Sequence, residues 1–228
     1  MVNAVIFDMD GVILDTQPLY DSWLKDFLDE YHITIDEETR KRLSGWSYKE
    51  YPNIIAGWWR DCGLGDDMTA ERMDVLYNDY MQNTNDGHPI PYAKIQDPDI
   101  RQVMSELREK GYEIAIASSS PLYSIKQAVH DIGLEPYVNI IVSGEMFERS
   151  KPWPDIYLHT ADKLNRKPCE CVAVEDSTYG IQASKAAGII TIAKRDDRFY
   201  FDQNPADFIV DRLSQITKIF CTLPSNML

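Results

Sequence analysis

Residues 2–11 read VNAVIFDMDG, and this stretch decides the fold. The apolar run over residues 2–7 is short and contains β-branched residues, which predicts a buried β-strand. A polar turn follows it directly, with Asp8 and Asp10 ahead of Gly11. In open α/β sheets ligands bind beyond the carboxyl ends of the strands, so this strand end is a candidate site.

Beyond about residue 97, strand patterns alternate with helix patterns. Strands are predicted over residues 112–117, 139–142, 171–174, 189–193 and 207–210. Helices are predicted over residues 97–111, 121–130, 154–164 and 179–187, followed by a terminal helix. Strands that alternate with helices imply right-handed β-α-β units and a parallel sheet. We therefore predict an α/β fold with a doubly wound, Rossmann-like parallel sheet.

The stretch between the first and second predicted strands breaks this alternation, because it carries no strand signal. Apolar residues recur there at helical spacing, and Thr16 is predicted to cap the first helix. A capping-box spacing at Ser47 predicts a further helix, inside which Pro52 would introduce a kink. The sequence thus predicts an α/β domain of residues 1–16 and 86–228 that carries an inserted helical domain of residues 17–85.

Composition excludes several classes of protein. The chain has 228 residues, 44% of them hydrophobic, and a formal net charge of −14. This charge argues against nucleic acid and anionic membranes as partners, because both require a basic face. No apolar run approaches the ~18 residues that cross a bilayer, and the first residues do not resemble a signal peptide. The four cysteines lack zinc-site spacing, so we expect free thiols and a cytoplasmic protein.

Polar residues follow each of the first four predicted strands. The first strand is followed by Asp8 and Asp10; the others are followed by Ser118-Ser119-Ser120, Ser150-Lys151-Pro152 and Glu175-Asp176. Taken singly, each group has an ordinary structural explanation, such as a turn, a helix cap or a solvated lysine. Because the carboxyl ends of neighbouring parallel strands lie side by side, we expect the groups to converge.

The residue types in this cluster indicate phosphoryl transfer. Several carboxylates in one pocket cannot all stay ionised without a cation, and oxygen ligands without His or Cys favour Mg²⁺. A lysine and a serine hydroxyl beside them suit phosphate oxygens. One aspartate can then act as nucleophile, and a second carboxylate two residues further on can act as general acid and base.

Four motifs resemble those of the haloacid-dehalogenase-like superfamily. They are Phe7-Asp8-Met9-Asp10-Gly11 with the following Val12-Ile13-Leu14-Asp15-Thr16, Ala117-Ser118-Ser119-Ser120, Ser150-Lys151-Pro152-Trp153-Pro154-Asp155, and Val174-Glu175-Asp176-Ser177. The run Gly180-Ile181-Gln182-Ala183 followed by Ala186-Ala187-Gly188 is similar as well. The resemblance covers essentially the whole chain, and residues 17–85 resemble the small helical cap of this family.

The resemblance implies a role for each motif residue. Asp8 would be the nucleophile and a Mg²⁺ ligand, and Asp10 would be the general acid/base that also lends its backbone carbonyl to the metal. Ser118 would bind the transferring phosphoryl group, and Lys151 would neutralise that group and hold Asp8. Asp176 would be a further ligand of the metal, and Glu175 would assist it.

Within the superfamily the chain looks most similar to the β-phosphoglucomutase-like phosphatases. It lacks three mutase features: Tyr20 replaces a histidine, Tyr48 a cap arginine and Pro121 a lysine. We therefore expect a phosphatase acting on a small phosphorylated metabolite, a sugar phosphate. A phosphomutase of the same fold and a non-catalytic phospho-ligand sensor are the alternatives.

Further residues are predicted to contact the substrate, and the protein is expected to be a monomer or a homodimer. The predicted substrate-binding residues are Ser119, Tyr20, Trp46, Ser47 and Tyr48. Trp46 and its neighbours stand at the Gly45 turn, which caps of this type direct at the site. The alternative for the aromatic residues of the insertion is that they form its own core.

Overall fold

The computed structural model describes residues 2–46, 49–84 and 90–222. Two of the predicted substrate-binding residues, Ser47 and Tyr48, lie outside these ranges. The chain divides into two compact units. The first unit consists of Met1–Thr16, Tyr92–Asp197 and Phe201–Leu228, and the second of Gln17–Pro91 and Arg198–Tyr200. The predicted domain boundaries at 16/17 and 85/86 stay predictions.

A parallel sheet forms the centre of the first unit. Its strands are β1 (Ala4–Phe7), β2 (Glu113–Ser118), β3 (Ile140–Ser143), β4 (Cys171–Glu175), β5 (Ile190–Lys194) and β6 (Phe208–Val210). The spatial order is β3-β2-β1-β4-β5-β6, and every neighbouring pair is parallel. The α/β, doubly wound parallel sheet is thereby confirmed, with strand bounds within two residues of the predicted ones.

The register of the central strands places their carboxyl ends side by side. Phe7, the last residue of β1, is paired with Ile116 of β2 and Val174 of β4. The strand order reverses at β1, because β2 and β3 lie on one side of it and β4 to β6 on the other. Such a reversal is the point of a doubly wound sheet where ligands bind, so Asp8 follows the strand at the switch point.

The second unit is helical in the residues that the structure describes. Its helices are α1 (Gln17–Glu30), α2 (Glu37–Lys41), α3 (Tyr51–Asp61) and α4 (Ala70–Thr84). The buried Phe27 lies at its centre, with ring centroids of Tyr31, Tyr77 and Tyr80 within 4.8–5.2 Å. The predicted kink at Pro52 is wrong: Pro52 lies in the first turn of α3, where the missing N–H costs no helical hydrogen bond.

The second unit also includes Arg198–Tyr200, which lie in sequence between β5 and β6. The guanidinium carbon of Arg42 lies 5.2 Å from the centre of the Tyr200 ring, a distance typical of a cation–π contact. Three residues of the connection between β5 and β6 thus belong to the helical unit.

The remaining helices belong to the first unit. They are α5 (Tyr92–Ile95), α6 (Ile100–Glu109), α7 (Leu122–Asp131), α8 (Asp155–Lys163), α9 (Thr178–Ala186) and α10 (Ile216–Thr222). One sheet face presents small side chains, including Ala4, Ala115 and Ala173, which let the buried Tyr157 of α8 pack close to the strands. Among the described residues, no helix is both long enough and apolar enough to span a membrane.

Candidate active site

A buried lysine joins two of the strand-end carboxylates. The Nζ atom of Lys151 lies 2.7 Å from Oδ1 of Asp8 and 2.6 Å from Oε1 of Glu175. It also donates to the carbonyl oxygen of Ala117, at 3.4 Å. Burial lowers the pKa of Lys151, but the charges of Asp8 and Glu175 outweigh this effect and raise the pKa above its usual value. The lysine therefore carries a stable positive charge between the ends of β1, β2 and β4.

Three carboxylates form a compact cluster around this lysine. Asp8, Glu175 and Asp176 are buried and offer oxygen atoms within 4.8 Å of one another. Burial raises the pKa of Asp8 to about 8; Lys151 opposes this shift, and Glu175 adds to it. One lysine cannot neutralise three buried carboxylates, so the cluster needs a proton or a further cation.

Asp176 gives the strongest indication that the cluster can bind a cation. Both of its carboxylate oxygens are buried and have no hydrogen-bond partner among the residues that the structure describes. Burial, followed by the charges of Glu175 and Asp8, raises its pKa well above the usual value. Buried polar atoms are almost always satisfied, and a hard cation such as Mg²⁺ binds carboxylate oxygens of this kind. The donor set of Asp8, Glu175 and Asp176 therefore fits a divalent metal ion.

Two glycines leave room for the acidic cluster. Gly11 has a φ of +83°, and a Cβ atom there would overlap the carboxylate of Asp176. A Cβ atom on Gly180 would overlap the carboxylate of Glu175. Any side chain at either position would have to displace a buried acid, so these glycines shape the site as well as the backbone.

The Asp10 carboxylate lies outside this cluster and is bound by hydroxyl groups. Its Oδ1 accepts a hydrogen bond from Thr16 at 2.8 Å, and its Oδ2 accepts one from Ser120 at 2.7 Å and one from Ser118 at 3.3 Å. The role implied for the Asp10 backbone carbonyl in metal binding stays a prediction. The Thr16 hydroxyl, predicted to cap a helix, is directed at Asp10.

Sequence reasoning missed Tyr157, whose hydroxyl donates to Oε1 of Glu175. Lys151 Nζ also lies 5.3 Å from the centre of the Tyr157 ring. Burial, and then the negative charge of Glu175, raises the pKa of Tyr157 well above its usual value, so the phenol remains a donor. The sequence places this residue on the apolar face of α8, where a tyrosine and a phenylalanine give the same signal.

Two polar side chains from the β5 end of the sheet hold the loops that carry the acids. Lys194 Nζ donates to the carbonyl oxygens of Gly11 and Val12, at 3.0 and 3.1 Å. Gln203 donates to the carbonyl oxygen of Asp176, at 2.5 Å. No motif in the sequence marks either residue, because the contacts depend on the three-dimensional arrangement of three loops.

The predicted substrate-binding residues that the structure describes belong to two different units. Ser119 lies half-buried in the loop after β2, and Gly144 lies close to its backbone. Tyr20 and Trp46 belong to the helical unit, where Tyr20 contacts Trp23 and Trp46 packs against the helical core. Trp58 and Trp59 also pack against that core, in agreement with the alternative of a structural role. The substrate roles of Ser119, Tyr20 and Trp46 stay predictions.

The fold and the site define an α/β protein with a lysine and a carboxylate cluster at the switch point of a parallel sheet. Residues 5–194 match the haloacid dehalogenase-like hydrolase family. The chain therefore belongs to that family of enzymes, as the motifs indicated.

Individual relatives extend over most of the chain. A phosphorylated carbohydrates phosphatase of Thermotoga maritima is 28% identical over 190 residues, 82% of each chain. Hexitol phosphatase B of Escherichia coli K12 is 28% identical over 222 residues, 95% of each chain. The crystal structure of a β-phosphoglucomutase from Clostridium difficile superimposes with a TM-score of 0.78 at 23% identity, covering 97% of this chain and 96% of that one.

Proposed function

We propose that this protein is a Mg²⁺-dependent phosphatase that hydrolyses a small phosphorylated metabolite, a sugar phosphate, through an aspartyl-phosphate on Asp8. The observation that carries the proposal is the buried pair of Lys151 and Asp8 beside the oxygens of Asp176, which have no hydrogen-bond partner in the described part of the chain. The names of the two phosphatase relatives support a phosphorylated sugar or sugar alcohol as the substrate.

Residues of the carboxylate cluster would hold the metal. Asp8 and Asp176 would be direct ligands, joined by the Asp10 backbone carbonyl and by Glu175. Glu175 already accepts hydrogen bonds from Lys151 and Tyr157 on one oxygen and from the Asp176 amide on the other, so we propose that it acts through water. When bound, Mg²⁺ would stabilise the negative charge on the oxygens of the phosphoryl group.

In the first step an oxygen of Asp8 attacks phosphorus while Lys151 holds the other carboxylate oxygen, at 2.7 Å in this structure. The bond between phosphorus and the leaving oxygen breaks, and that oxygen takes a proton from Asp10. Lys151 and Ser118 bind oxygens of the transferring phosphoryl group. In the second step Asp10 takes a proton from water as the water attacks phosphorus and releases Asp8.

The remaining features of the proposal concern the context of the reaction. We propose that residues 17–85 serve as a cap that limits water access to the site, and that Tyr20 and Trp46 contribute to substrate choice. A cytoplasmic location is supported by the free thiols of Cys62, Cys169 and Cys171. We expect a monomer or a homodimer, which sedimentation velocity would distinguish.

The direct test is a screen of phosphorylated metabolites that measures released phosphate with and without Mg²⁺. The Asp8→Asn variant should release no phosphate above background while keeping the circular dichroism spectrum of the wild type. Appreciable activity in this variant would refute the aspartyl-phosphate mechanism. Isomerised product in excess of free phosphate would favour the phosphomutase, and sugar phosphate binding without release would favour the sensor.

A further inference from the structure

Three consecutive serines, Ser118, Ser119 and Ser120, begin at the last residue of β2 and form a segment called here the serine loop. The proposed mechanism uses only the first of them. The third makes the shorter contact with Asp10: its Oγ lies 2.7 Å from Oδ2 of Asp10, compared with 3.3 Å for the Oγ of Ser118. Both hydroxyls therefore reach the same oxygen of the same carboxylate.

A hydroxyl group has a single proton to donate, so Ser118 cannot serve two acceptors at once. If Ser118 donates to a phosphoryl oxygen, as the proposed function requires, it no longer donates to Asp10. The Ser118 oxygen also accepts a hydrogen bond from the Ser120 amide at 3.0 Å. That bond uses only an acceptor lone pair, so the hydroxyl proton of Ser118 stays available while the Ser120 side chain remains on Asp10.

The backbone of Ser120 is fixed on both sides, which gives its side chain a defined direction. Its carbonyl oxygen accepts a hydrogen bond from the buried Ser143 hydroxyl at 2.7 Å, at the end of β3. Gly144, which follows Ser143 in the chain, has no side chain, and a Cβ atom on Gly144 would lie 3.0 Å from Cα of Ser119. The serine loop therefore lies directly against the end of β3.

We propose that Ser120 is a positioning residue for Asp10 and that Ser118 and Ser120 have different functions. Ser118 serves the phosphoryl group, and Ser120 orients the Asp10 carboxyl group for proton transfer to the leaving oxygen. This inference rests on the proposed function. A positioned general acid contributes about 10²–10⁴-fold to rate, and its contribution is largest when the leaving oxygen is strongly basic.

A change of leaving group distinguishes a positioning role of Ser120 from a purely structural one. The experiment compares Ser120→Ala with the wild type on glucose 6-phosphate, whose leaving oxygen needs a proton, and on p-nitrophenyl phosphate, whose leaving oxygen does not. We expect kcat/KM to fall by about 10-fold or more for glucose 6-phosphate and by about 3-fold or less for p-nitrophenyl phosphate. Ser120→Thr keeps a hydroxyl and should recover most of the loss.

A second comparison asks whether Ser120 acts through Asp10. In the Asp10→Asn background, Ser120→Ala should cause no further loss in the first-turnover release of p-nitrophenol. The matched control is Thr160→Val, which removes a buried hydroxyl of α8 that donates to the Ile156 carbonyl at 2.7 Å. It should leave the ratio of kcat/KM between the two substrates unchanged.

Several outcomes would overturn this role. Equal losses for both substrates would mean that Ser120 serves the phosphoryl group or the fold, and the absence of any loss would mean that it serves neither. A further loss in the Asp10→Asn background would show that Ser120 acts by another route. A wild type that releases phosphate with Mg²⁺ from neither ester, nor from any phosphorylated metabolite of the screen, would overturn the proposed function, and the role of Ser120 with it.

Discussion

Replacing Asp176 with asparagine should make the metal-free protein more stable at alkaline pH, although it removes a proposed metal ligand. Asp176 is fully buried, its oxygens lack partners among the described residues, and Glu175 and Asp8 lie beside it. Asparagine keeps the shape of the side chain and removes the charge. The variant therefore separates the electrostatic cost of the cluster in the metal-free protein from the packing of the side chain.

The sign of the effect follows from the raised pKa of Asp176, which burial and the neighbouring carboxylates shift well above the usual value of 3.8. Above pH 3.8 the unfolded chain releases a proton that the folded chain retains, so stability falls as pH rises. Each pH unit in this window costs about 1.4 kcal/mol, or up to about 4 kcal/mol between pH 5 and pH 8. For a chain of this length that corresponds to a Tm difference of about 10 °C.

The assay is thermal unfolding in EDTA at pH 5, 6, 7 and 8, for the wild type and for Asp176→Asn. At pH 5 the variant should equal the wild type or be slightly less stable, because its amide is also buried without partners. At pH 8 it should be clearly more stable, and millimolar Mg²⁺ should raise the Tm of the wild type only.

Asp162→Asn, on the exposed side of α8, controls for the loss of a carboxylate from the surface and should change the Tm little at any pH. A Tm difference between Asp176→Asn and the wild type that does not grow with pH would refute the argument.

Three further substitutions test other parts of the site. Gly180→Ala should lower kcat more than about tenfold and reduce the Tm, because the new methyl group displaces the buried Glu175 carboxylate. The control is Gly57→Ala on α3, where the methyl group meets open space and should stabilise the helix by about 0.5–1 kcal/mol. Unchanged kinetics in the first variant would mean that the carboxylate position is unimportant. Lys151→Met should abolish phosphate release and destabilise the metal-free protein by about 3–5 kcal/mol in chemical denaturation, since it leaves two buried carboxylates without their cation; a stable, active variant would contradict this. Tyr157→Phe removes one donor to a buried carboxylate, so it should cost about 1.5–3 kcal/mol and shift the Mg²⁺ concentration for half-maximal stabilisation by several-fold. An unshifted midpoint would limit the hydroxyl to a packing role.

The fold could be predicted from the sequence because its signals are local. Apolar strands bounded by polar residues mark the sheet, and Asp8 and Asp176 fall at strand ends that the parallel register brings together. The helix start predicted from the capping-box spacing is wrong, because such a spacing also occurs by chance in polar sequence and α3 begins at Tyr51. The family is confirmed, whereas the catalytic roles of the motif residues stay predictions.

The contacts that support the site could not be predicted, because they join residues that no periodic pattern links. Thr16 carries the same signal whether its hydroxyl caps a helix or binds Asp10, and only the structure directs it at Asp10. Tyr157 is one apolar position of a helix until its hydroxyl is placed on Glu175. Lys194 resembles any lysine at a strand end.

The membership of Arg198–Tyr200 in the helical unit has a consequence for recombination between relatives. The backbone passes from one unit to the other after Thr16, Pro91, Asp197 and Tyr200, so the helical unit is encoded by two separate stretches. A chimaera that exchanges only residues 17–91 would set a foreign residue at position 42 against the original Tyr200 ring. Exchanging the helical unit between such enzymes therefore requires a two-segment graft, and positions 42 and 200 are expected to change together during divergence.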